Sequence, residues 1–487
     1  MDISQSSDDT VRLSGYDTMF VLDDRIEPQH TLKIAVFDEA SSKDFQFERI
    51  GDALQRAVAV LPQMKWRVQP VPLGLNRPVW VVDSEFDVRN HLRHVRLPHP
   101  GTKTQLCHMI GELAAERIPP DRPPWQLWFL EGFQGTKVVG VLKLNHAMAD
   151  GGTCAELLDV LSRPEPNAPP VAVPVPHPAA ASSRSDVLRD GARDLWHEVG
   201  REVPRMARAM RQARPKGRKS GSLKRQPSRL GAPTIPWRGP LTPTRSFAWV
   251  SLPLDEVKEI AKTVSGTVND VVFAIVAGAV RECLAHEAML TDRPVIADTA
   301  AKNRREGDTR LWGNAVTVRR FELPTHLADP LERLRAAHVQ SLSVKSQVAA
   351  RHVQFEDWVA LVPPILLRPV LRAVRTAARR SRLSGYVMVS NVKGPREKRY
   401  IGGMGIENFI SCGHLKYAAG VNTTVWSYDK VLNFAVYGCG RTLPDAELFT
   451  ERIHLAFDEL HATTRDLAGP PEHDSVAPSA ARGEHHV

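Results

Sequence analysis

Cysteine is scarce in this sequence and nowhere paired: Cys107, Cys154, Cys283, Cys412 and Cys439 are the only five among 487 residues. No C-x-x-C spacing occurs, so neither a disulfide framework nor a zinc site is expected, and the scatter suits a reducing compartment. Long apolar runs are missing too. The longest, around Val271 to Val280, is too short to span a bilayer and fits a buried helix. Met1-Asp2-Ile3-Ser4 is polar and acidic, without the pattern of a signal peptide. The expectation is a cytoplasmic protein, soluble or peripheral to a membrane. There is no G-x-S-x-G elbow, which disfavours Ser-His-Asp catalysis.

Acid is the scarcer charge: 55 Asp and Glu stand against 64 Lys and Arg, for a net charge of +9. Anionic partners follow from that balance, whether nucleic acid, anionic lipid or a phosphorylated small molecule. From Arg201 to Arg229 the single acid is Glu202. This stretch reads as a solvated linker or as a basic amphipathic segment on an anionic membrane. No nucleic-acid motif accompanies the charge, so nucleic acid is not expected as a partner.

The length predicts more than one domain. Residues 1–163 alternate strand and helix patterns: strands at Thr31 to Phe37 and Val79 to Val82, helices at Phe47 to Ala59 and Thr104 to Glu116. Residues 164–243 form a Pro/Ala-rich, basic linker with a helix-compatible segment from Val187 to Gln212. A second mixed α/β domain follows over 244–468, with a mostly apolar helix from Thr267 to Ala285. Its strands fall near Phe247 to Leu252, Val387 to Val389, Thr423 to Ser427 and Val431 to Tyr437. Between Val362 and Arg380, apolar residues alternate with arginines, which fits lipid-surface contact or a half-buried helix. Residues 469–487 are polar and expected to be disordered.

One stretch carries chemistry. Lys137 to Leu144 reads as a buried strand, Gly151-Gly152 break it, and Thr153 to Leu161 show helical spacing. The turn between them is Asn145-His146-Ala147-Met148-Ala149-Asp150. An imidazole on a rigid strand end suits a general base, because its ordinary pKa lies near neutrality. By themselves these residues also fit a structural His and a turn or helix-cap Asp.

Four motifs in order resemble the bacterial wax ester synthase/acyl-CoA:diacylglycerol acyltransferase family. Asn145 to Gly151 is similar to its H-H-x-x-x-D-G motif, and Arg122-Pro123-Pro124-Trp125 to its P-L-W element. Asn269-Asp270-Val271-Val272, with Gly278 to Arg281, resembles its N-D helix. Ser390-Asn391-Val392-Lys393-Gly394-Pro395, Ser427-Tyr428 and Pro444-Asp445 resemble its C-terminal signature. The resemblance implies two chloramphenicol-acetyltransferase-like α/β domains with the active-site channel between them. Two residues depart from the pattern: Asn145 stands where the family has its first His, and Pro124 where it has Leu.

The resemblance further implies acyl transfer from acyl-CoA, as co-substrate and with no cofactor or metal, to diacylglycerol or a fatty alcohol at a membrane or lipid-droplet surface. It makes His146 the base. Asn145 can hydrogen-bond there but cannot titrate near neutrality. Asp150 is expected to be a buried carboxylate that holds the loop, paired with Lys302 or Arg304. Gly151 is expected to permit the turn and a close backbone approach. Asn269 and Asp270 are expected to shape the rim of the site or cap their helix. The donors that hold the oxyanion are not legible. A different acceptor, or a non-catalytic lipid-surface protein on the same fold, are the competing readings.

Overall fold

The computed structural model describes residues 11–24, 27–166, 184–212, 232–302, 310–349, 361–380, 387–415 and 420–468, with Pro227 and Val359. Residues 167–183, 213–226 and 228–231 of the expected linker, Arg304 and the tail after Ala468 therefore lie outside the described residues.

In the N-terminal half the strands are β1 (Val11–Arg12), β2 (His30–Phe37), β3 (Trp66–Gln69), β4 (Val79–Val82), β5 (Leu92–Arg96), β6 (Trp125–Phe133) and β7 (Lys137–Asn145). The C-terminal half opens with β8 (Arg245–Pro253), β9 (Val295–Lys302), β10 (Val316–Leu323) and β11 (Val387–Val392). It closes with β12 (Tyr400–Ile401), β13 (Met404–Cys412), β14 (Val421–Tyr428) and β15 (Val431–Cys439). One six-stranded sheet runs β12-β13-β2-β7-β6-β5, the other β10-β9-β11-β14-β15-β8, and β1-β4-β3 form a small third sheet. The fold is thus mixed α/β with two large sheets, one centred in each half.

Both faces of the central strands are covered, which is why their sequences are nearly all apolar rather than alternating. On β2, Leu32, Ile34 and Val36 enter one core while Ala35 and Phe37 enter another. The apolar segment after Thr267 becomes the helix Val268–His286, buried from Asp270 to Val280. It packs against the helices Pro330–Ala349 and Ala446–Ala468. Gly278 allows the second contact, since a Cβ there would stand 2.8 Å from Ala456 Cβ.

The halves are not separable at residue 244. Strand β13, which the sequence places in the C-terminal domain, leaves it and pairs antiparallel with β2. Asn433 Nδ2 on β15 donates to Asn408 Oδ1 (2.7 Å) and Phe409 O (3.0 Å), so β13 ties the two large sheets together. On the other side, the helix Lys103–Ala115 packs on β8. There Gly111 stands so close that a Cβ would lie 2.6 Å from Arg245 O. One hydrophobic core accordingly contains Leu32 and Ile34 from β2 together with Phe247, Val425 and Phe434 from the second sheet.

Candidate active site

Strand β7 ends at Asn145, and the loop that follows is braced from several sides. Asn145 is buried; its N–H donates to Pro124 O (2.8 Å) and its Oδ1 accepts from Ala147 N–H (2.9 Å). The departure from the family's His thus builds the turn through its own amide, an Asx-type contact. Pro124, the other departure, supplies the carbonyl that holds it. Beside it Trp125 is fully buried and donates Nε1 to Met64 O (2.7 Å). His146 N–H donates to Gln29 O (2.8 Å), which fixes the backbone under the imidazole.

Asp150 caps the helix Gly151–Leu161. Its Oδ1 accepts from Thr153 N–H (2.7 Å), and Oδ2 accepts from Ala315 N–H (2.7 Å). Two backbone donors thus hold the carboxylate, and of the two expected cations Arg304 lies outside the described residues. Lys302 is exposed, and among the described residues Asp150 makes no ion pair. The helix N-terminus favours the carboxylate, so no cation is needed to hold it. Gly151 adopts no left-handed conformation; a Cβ there would stand 2.8 Å from Val392 Cγ2, and this close approach is what its lack of a side chain permits.

Residues 313–315, from the opposite half, lie along this loop. Gly313 N–H donates to Met148 O (2.6 Å), and Asp150 N–H donates to Gly313 O (3.3 Å). Gly313 has φ +74° with Asp17 packed over it, so its position requires glycine. Asn314 makes the decisive contacts. Its Nδ2 donates to Asp17 Oδ1 (2.7 Å) and to His146 O (2.6 Å), and its Oδ1 faces His146 Nδ1 at 2.8 Å. With the amide nitrogen committed to two acceptors, Oδ1 must accept, so Nδ1 carries the proton and Nε2 is the free lone pair. Asp17, on the helix Gly15–Asp24, also accepts from Ser14 Oγ (2.7 Å). Burial raises its proton affinity, against the hydrogen bonds from Asn314 and Ser14.

The imidazole is enclosed by rings. Phe20 stacks on it at 4.6 Å between centroids, and His414 meets it edge-on at 4.7 Å. Burial, then the nearby charge of Lys33, hold the His146 pKa well below the ordinary imidazole range, while Asp150 and Asn314 oppose the shift. His146 is therefore neutral at physiological pH. The neighbouring thiols of Cys154 and Cys412 are pushed up by burial and do not ionise there, so neither is an activated nucleophile. An apolar cavity lies against the same loop, lined by Leu144, Met148, Ala149, Trp66, Leu311 and Trp312 among others.

Asn269 and Asp270 stand one step removed. Asp270 Oδ2 accepts from Thr267 N–H (2.7 Å) at the start of its helix and faces His338 Nδ1 at 2.9 Å. Burial opposes its ionisation, but the bonds from His338, Ser341 and Thr267 keep its pKa below the usual carboxylate value. Asn269 Oδ1 accepts from Asn391 Nδ2 (3.4 Å) on β11. The next residue, Val392, is the one packed on Gly151, so β11 links the N-D helix to the His146 loop. Asp17, Phe20, Asn314, His414 and Lys33 are missing from the sequence-based site. The Gly313-Asn314 pair before a strand is the only local signal among them, and by itself it reads as a turn.

Comparison with known proteins agrees with this architecture. Residues 13–272 match the model of the wax ester synthase/diacylglycerol acyltransferase catalytic domain, and 312–461 that of the family's C-terminal domain. A candidate diacylglycerol O-acyltransferase of Mycobacterium tuberculosis is 33% identical over 476 residues, covering 95% of this chain and 99% of the relative. A second from the same organism is 30% identical over 470 residues, covering 92% and 95%. The wax ester synthase/diacylglycerol acyltransferase of Marinobacter aquaeolei VT8 superposes with a TM-score of 0.66 at 22% identity, over 93% of this chain and 100% of that one. The first condensation domain of the calcium-dependent antibiotic synthetase shares the fold, with a TM-score of 0.55 at 14% identity over 94% and 97% of the two chains. Two family models spanning both halves, with relatives matched nearly end to end, make this chain an acyltransferase of the wax ester synthase/diacylglycerol acyltransferase family.

Proposed function

We propose that this acyltransferase moves a long-chain acyl group from acyl-CoA to diacylglycerol, with fatty alcohols as further acceptors, and that His146 is the general base. The observation that carries this reading is the bond from His146 Nδ1–H to Asn314 Oδ1, which leaves Nε2 free to accept a proton. The acceptor oxygen attacks the thioester carbon as its proton passes to Nε2. The carbonyl electron pair moves to oxygen, giving a tetrahedral oxyanion. Collapse re-forms the carbonyl, breaks the C–S bond, and the departing thiolate takes the proton back from the imidazolium. No serine or cysteine nucleophile is required, because a thioester is already activated. The apolar cavity against the loop suits the acyl chain.

The experiment is a panel of labelled palmitoyl-CoA with diacylglycerol, hexadecanol and an amine, run on the wild type, His146→Ala and Asn145→Ala. Ester should form with diacylglycerol and hexadecanol. His146→Ala should abolish it, while Asn145→Ala, whose amide only braces the turn, should keep much of it. Wild-type turnover in folded His146→Ala would sink the mechanism.

We infer further that the protein works docked on an anionic lipid surface. No described helix is long and apolar enough to cross a membrane, yet apolar side chains collect on one set of touching elements. The helix Arg184–Gln212 exposes Trp196, Val199 and Val203, and the helix Pro364–Arg380 exposes Ile365, Leu366 and Val370. Between them the turn Pro72–Gly74 contacts both helices and presents Leu73, 72% exposed and held at φ +58°. A leucine in the left-handed region, turned to water, is costly twice over and suits insertion into lipid. Arg193, Arg208 and Arg372 are exposed on the same helices and match anionic headgroups. Vesicles with phosphatidylglycerol should co-sediment the protein, and pure phosphatidylcholine vesicles should do so weakly. Combining Leu73→Ser, Trp196→Ser and Leu366→Ser should lower binding about a thousandfold or more, at roughly 1.5–3 kcal/mol of transfer free energy per large apolar side chain. Equal binding by the triple variant would refute this face.

A further inference from the structure

One buried charge beside the site has no part in the mechanism above. Lys33, on β2, is 7% exposed. Its Nζ donates to Thr31 Oγ1 (2.7 Å) and Ser411 Oγ (2.8 Å) and lies 5.8 Å from the Trp426 ring centre. Thr31 gives its own hydroxyl proton to Cys412 O (2.7 Å), which turns its lone pairs toward the lysine. Among the described residues no carboxylate lies within 4 Å of this ammonium. Thr31 pairs with Leu144 on β7, two residues before His146, so the ammonium lies beside the strand end that carries the imidazole. It stands where β13 brings the two large sheets together.

Lys143, on the adjacent strand, shows what a structural buried lysine looks like. It is fully buried, and Nζ donates to Leu113 O (3.0 Å) and Glu116 O (3.1 Å) at the end of the helix Lys103–Ala115. The negative end of a helix dipole compensates its charge. Two hydroxyls and the Cys154 thiol satisfy the hydrogen bonds of Lys33 but bring no negative end to its charge. A buried cation in contact with no carboxylate is expensive; Asp150 shares the space around the Cys154 thiol without touching the lysine, which leaves room beside the base for a further anion that comes and goes.

We propose that Lys33 balances the negative charge that acyl transfer places on the carbonyl oxygen, acting through the field of a dry site rather than by contact. This rests on the acyl-transfer reading above. As the acceptor C–O bond forms, the carbonyl pair becomes an oxyanion while His146 Nε2 holds the acceptor proton. As the C–S bond breaks, the pair returns to the carbonyl and the thiolate takes that proton. Lys33 favours the state between. In the resting protein the same charge opposes protonation of His146. The groups facing that imidazole are Lys33 from β2, Asp150 from its helix cap, Asp17 through Asn314, and His414 from the end of β13.

The test compares Lys33→Gln, which keeps hydrogen bonding without charge, with Lys33→Arg, which keeps charge. Lys33→Met is the fallback if Lys33→Gln does not fold. Lys33→Gln should lose about tenfold or more in kcat at unchanged KM for palmitoyl-CoA. The acidic limb of its kcat/KM profile should move to higher pH, because the protonated imidazole is no longer opposed. Lys33→Arg should restore both in large part. A folded Lys33→Gln with wild-type kcat overturns the proposal and leaves the lysine as a tie between β2 and β13. A moved limb at unchanged kcat also overturns it, since the charge would then act on the resting imidazole alone. If His146→Ala keeps its activity, the acyl-transfer mechanism fails first. If that variant is dead while Lys33→Gln is wild-type, only the role of Lys33 fails.

Discussion

Each half of the molecule contains a strand that ends in a turn, an aspartate cap and a helix. In the first, β7 leads to Asp150 and the helix Gly151–Leu161; in the second, β15 leads to Asp445 and the helix Ala446–Ala468. The caps are alike: Asp150 Oδ1 accepts from Thr153 N–H at 2.7 Å, and Asp445 Oδ1 from Leu448 N–H at 2.9 Å. Their surroundings differ. Asp445 is exposed, and its turn is met by Thr242 and Thr244, which bring hydroxyls and carbonyls. Asp150 is buried, and its turn carries an imidazole with residues 313–315 laid along it. The shared local motif builds a helix start. The chemistry comes from what the other half adds to it.

That difference is broken most directly at Asn314. Asn314→Ala removes the acceptor for His146 Nδ1–H and the donor to His146 O, while leaving the Asp150 cap intact. The imidazole is then free to rotate or to take the other tautomer. A loss of roughly 100-fold in kcat is expected, at the lower end of what a positioned general base contributes. The loss should appear in kcat more than in KM for acyl-CoA. Asn314→Asp, which keeps an acceptor but puts a second carboxylate beside Asp17, should not restore full activity. Near-wild-type kcat in Asn314→Ala would show that the loop alone orients the imidazole.

The parts of this site legible in the sequence were those encoded within a few residues of one another. Strand, turn, glycine pair and helix around His146 follow from local pattern, and so does the buried helix after Thr267. Strand β13 was not legible. Its pairing with β2 shifts register between Ile406 and Asn408, which breaks the two-residue alternation by which a strand is recognised. The family resemblance implies a side-chain cation, Lys302 or Arg304, as the partner of Asp150. Among the described residues its partners are the N–H groups of Thr153 and Ala315, and a backbone donor has no signature in the sequence. Asn314 lies 168 residues from His146, and Lys33 lies 378 from Ser411. Contacts at such separations are products of the sheet order, which one sequence does not reveal. The same reason makes the two lysines indistinguishable in sequence: each sits in an apolar strand, and only the partner across the sheet tells them apart.

The two caps give the finer comparison. Asp445→Ala removes one exposed cap bond and should cost about 1 kcal/mol of stability, with turnover unchanged. Asp150→Ala removes the equivalent bond and also leaves the Ala315 N–H without its acceptor in a buried place. The added penalty for an unsatisfied buried donor is about 1–3 kcal/mol, so a total near 3 kcal/mol is expected. Thermal or urea unfolding of the two variants measures the gap. Asp150→Asn sharpens it further. An asparagine still caps a helix well, and its amide oxygen can serve one N–H but no longer both as a carboxylate does. Stability should therefore lie between wild type and Asp150→Ala, and activity should fall with the loosened 313–315 segment. If Asp150→Ala and Asp445→Ala lose equal stability, the bond to Ala315 contributes nothing, and the first half's turn is held by its own residues after all.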